Sequence, residues 1–131
     1  MEVSQVQQKS ILTINITGLR NQEGFVCIAL FSSAEGFPND ADKAVKAEYF
    51  PISEIPLTAS FTDIHYGRYA LTVFHDENAD GELNQGVFGI PQEGLGFSEN
   101  PPIWKGAPKF QQADFEFMPS NTTVNIEMKY F

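Results

Sequence analysis

"GRYALTVFHDENADGELN", residues 67–84, decides how this chain is read. Its first half, "RYALTVFH" (68–75), is rich in β-branched and aromatic residues and predicts a strand. In its second half Asp76, Asn78 and Asp80 recur at every second position, followed by Gly81, Leu83 and Asn84. That is the order of a calcium-binding loop, with oxygen ligands at positions 1, 3, 5 and 9 and a turn glycine at 6. Such loops usually sit between helices, whereas this one is entered from a strand. The expectation is a cation loop on a β scaffold.

Neighbouring segments carry the same period. "SILTINIT" (10–17) sets Ile11, Thr13, Asn15 and Thr17 on one face and Leu12, Ile14 and Ile16 on the other. "FVCIALFS" (25–32) is nearly all apolar, as a central strand would be. "LTASFTDI" (57–64), "ADFEFMP" (113–119) and "TVNIEMKYF" (123–131) complete the set, and "AEYFPIS" (47–53) carries Pro51 and belongs at an edge. Only "NDADKAVKAE" (39–48) suits a helix, of one or two turns capped by Asn39 or Asp40. The predicted fold is all-β: a seven-stranded antiparallel sandwich, immunoglobulin-like or transthyretin-like, with one long ordered loop. At 131 residues the chain fits one domain, here 10–131, behind a flexible N-terminal segment 1–9.

Composition excludes several classes. Net charge is −9 and only eight residues are Lys or Arg, too few to neutralise a row of phosphates, so nucleic acid is not an expected partner. No apolar run approaches the length of a membrane-spanning helix. The single cysteine, Cys27 in "FVCIALF", rules out an internal disulfide and is expected to pack as a small hydrophobe. "MEVSQVQQKS" lacks the regions of a signal peptide, so the chain is either cytoplasmic or a mature form whose leader was replaced by Met1.

Candidate chemistry concentrates after residue 75. In the cation loop Asp76, Asn78 and Asp80 would give side-chain oxygens, Glu82 its carbonyl, and Asn84 or a water it holds would complete the arc. Position 12, normally a bidentate carboxylate, is Val87, so calcium binding should be weak, with a Kd of roughly 10⁻⁴–10⁻³ M. Between Arg68 and Lys105 there are six acids and no Lys or Arg, a balance that suits a cation. The Gly- and Pro-rich stretch 86–112 carries Phe88, Phe97 and Trp104, which could stack on a glycan, small ligand or protein, or else pin the loop to the core. His65 and His75 are expected to be isolated surface or rim histidines, and Ser98 has no assigned base. No nucleophile elbow, H-E-x-x-H, P-loop or dinucleotide fingerprint occurs. The triplets at 15–17 and 121–123 match glycosylation acceptors but fall in predicted strands.

"GRYALTVFHDENADGELN", "FGIPQEGLGFSENPP", "GAPKFQQADFEF" and "IEMKYF", with the earlier "ITGLRNQEGFVCIALFSSAEGFP", resemble an uncharacterised bacterial family known as domain of unknown function 2141. The resemblance runs from about residue 11 to 131. It implies an exported protein, periplasmic or secreted, because members of that family mostly carry secretion signals, and it brings no catalytic residues. Hydrolases of the transthyretin type end in Tyr-Arg-Gly-Ser, whereas this chain ends in Met-Lys-Tyr-Phe. The sequence therefore favours a non-catalytic binding or surface module. The alternative is a small metal-dependent or hydrolytic enzyme using His75, Asp76 and the 88–105 loop, in which His75 would converge with Glu93 or Asp114.

Overall fold

A computed structural model of the chain describes residues 9–77, 94–103 and 106–130. Alternation in 10–17 becomes strand β1 (Lys9–Thr17), whose Leu12, Ile14 and Ile16 are fully buried while Thr17 and Ile11 are exposed. Seven further strands follow: β2 (Phe25–Phe31), β3 (Lys46–Pro51), β4 (Leu57–His65), β5 (Gly67–Asp76), β6 (Leu95–Phe97), β7 (Phe115–Phe117) and β8 (Thr123–Glu127). A single turn of helix, α1 (Phe110–Ala113), precedes β7. Residues 39–48 contain the expected short helix only as a 3-10 turn, Ala41–Lys43, where the Asp40 carboxylate accepts from the Asp42 N–H at 3.2 Å.

The strands form two sheets, β4-β1-β8 and β3-β2-β5-β6, with β7 pairing to the start of β5. Both contribute to one core: Leu12, Ile14, Ile16, Phe61 and Ile126 from the first meet Val26, Ile28, Leu30, Leu71 and Val73 from the second. Two features differ from the seven-stranded antiparallel expectation. Eight strands stand among the described residues, because part of the long loop returns as β6 alongside β5. The pairing of β1 with β8 is parallel, with Ile14 opposite Val124 and Ile16 opposite Ile126. Parallel neighbours need a crossover and are invisible to a period-two reading. Pro51 sits as expected in an edge strand, β3, where its missing N–H breaks no ladder.

One edge of β5 serves two short strands, β7 at residues 67–69 and β6 at 72–74. Ser98 closes the gap between them. Its N–H donates to the Leu71 carbonyl (3.1 Å), its Oγ accepts from the Leu71 N–H (2.9 Å), and its hydroxyl donates to the Ala113 carbonyl (2.5 Å). Phe97, beside it, is buried against Ala70 and Ala113 under a cap of Phe37, Ile103 and Phe110, a second small core on the outer face of the larger sheet. The described part of the long loop is thus ordered by aromatic packing.

Phe61, 1% exposed and 5.9 Å from the Phe50 ring, tests the shared core. Phe61→Ala should lower unfolding free energy by about 3–5 kcal/mol in urea titration, with an unchanged slope. Thr58→Ala, on the exposed face of the same strand, should stay within about 0.5 kcal/mol.

Candidate functional site

Along β5 the side chains of Tyr69, Leu71, Val73 and His75 enter the core, and Ala70, Thr72, Phe74 and Asp76 point to the other face. His75 therefore stands at the end of an apolar row, and it is fully buried. A buried imidazole requires partners, and it has them. Nε2 lies 2.7 Å from the Glu23 carbonyl, which can only accept, so Nε2 carries the hydrogen. Nδ1 lies 2.7 Å from the Tyr130 hydroxyl, which donates to it in the neutral ring and itself accepts the Arg20 N–H at 3.2 Å.

The network continues outward. Arg20 binds Glu77 through two parallel bonds of 2.7 Å and stacks 4.5 Å above the Tyr130 ring, while Asn21 donates to Glu77 at 2.9 Å. The Arg20 hydrogen bonds, joined by that of Asn21, hold the Glu77 carboxyl down at about 2. Burial pushes the Tyr130 phenol up from its ordinary value. Gly94 makes room for this ring: a Cβ there would come 2.6 Å from Tyr130.

These positions correct the reading of the histidines. His75 is a core residue in a polar network. His65 is exposed and ends β4, so the two do not even share a strand. Parity was the available signal, since His75 keeps step with Leu71 and Val73, and Tyr130 keeps step with Ile126 and Met128. Arg20 and Glu77 lie 57 positions apart, and nothing local announced their pairing.

The residues proposed for catalysis do not assemble among the described residues. Asp114 pairs with Arg68 at 3.4 Å, seven residues from His75 along β5, which is roughly 23 Å at the usual strand rise. Glu93 lies outside the described residues. Ser98 gives its proton to Ala113. Phe97 is 3% exposed and spent on packing; Phe88 and Trp104 lie outside the described residues.

Of the cation loop only its first member is described. Asp76 is the last residue of β5, opposite Phe25, and is fully buried. Gly24, at φ +73°, runs so close that a Cβ would be driven into the Asp76 carbonyl. Asn78, Asp80, Glu82, Asn84 and Val87 lie outside the described residues. Among the described residues no three His, Cys, Asp or Glu side chains gather as metal ligands, and no helix is long and apolar enough to cross a membrane.

A family model described as an uncharacterised protein conserved in bacteria, DUF2141, matches residues 14–125. The chain belongs to the DUF2141 family. The matched span runs from the middle of β1 through β7 into β8, and includes His75, Glu77, Ser98 and the whole acidic loop. No curated protein and no solved structure matches the chain.

The Arg20–Glu77 pair yields a pH prediction. The carboxyl sits near 2 in the folded chain against 4.5 ordinarily, so its contribution is complete above about pH 4.5 and disappears as pH falls toward 2. Arg20 is 46% exposed, and solvent screening holds that contribution to about 1–2 kcal/mol. Denaturant titrations should show Glu77→Gln less stable than the parent at pH 7 by that amount, with the two converging at pH 2–3.

Proposed function

We propose that this chain is an exported, non-catalytic β-sandwich, of immunoglobulin-like or transthyretin-like kind, that serves as a binding module. One observation carries the reading: the groups best suited to chemistry are consumed inside the fold. Both nitrogens of His75 and the hydroxyl of Ser98 are engaged in bonds that hold strands and loops together, so neither offers a base or nucleophile to a substrate. The expectation of export rests on the family resemblance.

The same reading retains a weak calcium loop from Asp76 to Asn84. Support comes from Asp76, a carboxylate anchored at the end of the most heavily paired strand, at the first position of an Asp-x-Asn-x-Asp-Gly run. Partners reached from this end of the sandwich would be a glycan, a small ligand or a protein.

Calcium at ~10 mM against a Kd near 10⁻⁴ M stabilises the native state by roughly 2.7 kcal/mol. The melting temperature should rise by several degrees. That rise, measured as the difference between calcium and chelator, should vanish in Asp80→Ala whatever the variant's own stability. A melt indifferent to calcium would reduce the motif to an acidic turn.

A further inference from the structure

An unpaired strand edge is a template for another chain, and folded proteins manage theirs. Three edges here are managed. That of β3 carries Lys46 and Glu48 and ends at Pro51. That of β8 is met by the Asn100 side chain, which accepts from the Glu127 N–H at 2.9 Å and donates to the Asn125 carbonyl at 3.4 Å. β6 exchanges backbone bonds with Lys129 at Leu95.

β4 differs. It ends the smaller sheet, with β1 as its neighbour among the described residues. Thr13 and Thr17 bond across to the β8 side, so Leu12, Ile14 and Ile16 turn their N–H and C=O groups toward β4. Opposite them stand Phe61, Ala59 and Leu57. The backbone groups of Thr58 and Ser60 therefore point outward, as do those of Thr62 where the strand enters its bulge, and no hydrogen bond among the described residues meets them. The three side chains are exposed, and "LTASFT" (57–62) contains no charge and no proline.

This run also fits itself. A two-fold axis at Ser60 sets that residue opposite its own copy and Thr58 opposite Thr62, hydroxyl to hydroxyl, with about six backbone hydrogen bonds. Asp63, the first charge beyond the run, then lies roughly 20 Å from its counterpart, past the Debye length at ordinary salt. For a chain of net charge −9, an uncharged edge lets two copies meet with little repulsion.

We propose that two copies of this chain pair antiparallel through β4, joining their smaller sheets into one. No residue of the calcium loop takes part, so the test is independent of that loop.

Sedimentation equilibrium of the full chain, with a chelator present, reads the outcome. The mass should climb from 14.6 kDa toward twice that value as concentration nears ~1 mM, and sooner in ~0.5 M NaCl, which screens the repulsion between copies. Amide exchange at Thr58 and Ser60 should slow in step. Ser60→Pro removes an outward N–H, and Ser60→Lys sets two like charges face to face. Either should keep the chain monomeric, with its melting temperature in dilute solution nearly unchanged. Thr123→Lys, which adds the same charge on β8, should leave pairing intact. The proposal is overturned if the parent stays monomeric at ~1 mM, whatever other polypeptide the edge then takes. It also fails if the folded Ser60 variants still pair, or if Thr123→Lys abolishes pairing as Ser60→Lys does.

Discussion

Strand β5 is paired along both edges and buried on both faces, and the rest of the molecule is arranged around that constraint. Along one edge runs β2, in register from Phe31 opposite Ala70 to Phe25 opposite Asp76. Along the other, two short strands share the length, and Ser98 supplies the hydrogen bonds that neither can reach. With a partner along each edge, the backbone N–H and C=O groups of β5 are satisfied by neighbouring strands and by Ser98. His75, at the far end, draws the Glu23 carbonyl and Tyr130 onto the strand, and Tyr130 meets Arg20. One buried imidazole thereby ties the 18–24 turn to the 128–130 segment, which backbone bonds to Thr17 and Leu95 also hold.

Such a network holds a structure only when complete. Each member here satisfies another: Nε2 on a carbonyl, Nδ1 on a phenol, the phenol on an amide, and the guanidinium on both carboxylate oxygens of Glu77. Its outer half faces solvent, where ion pairing is screened, and its inner half is dry. The inner bonds therefore specify geometry, and the outer pair adds a modest, acid-sensitive increment.

Much of the fold was legible because a half-buried strand writes its period into the sequence. Leu12, Ile14 and Ile16 alternate with Thr13 and Asn15, and Val124, Ile126 and Met128 with Asn125 and Glu127; both sets are buried as the alternation requires. β6 escaped notice because three residues are too few to show a period, and it is held by partners distant in sequence. α1 escaped for the same reason, at four residues. The site was less legible. Asp76 and His75 were visible as residue types, but the burial of His75 and its bond to Tyr130, 55 positions on, arise from tertiary pairing. The outer face of the larger sheet could not be foreseen either, since "FVCIALF" looks the same whether one or both of its faces are covered.

The parallel union of β1 with β8 has a consequence for how the chain reaches this state. β1 lies in the middle of its sheet, yet one of its two neighbours is contributed by residues 123–127. Thr13 and Thr123 stand side by side across 110 positions of sequence, so closing that seam demands a very large loop. Topologies dominated by such distant pairings fold on the millisecond-to-second scale. Until β8 arrives, one side of β1 offers unpaired N–H and C=O groups flanked by Ile14 and Ile16, a template for any other extended chain. The smaller sheet can therefore be completed only once residues 123–127 have joined it, which leaves its central strand half-paired until the end of the chain is available.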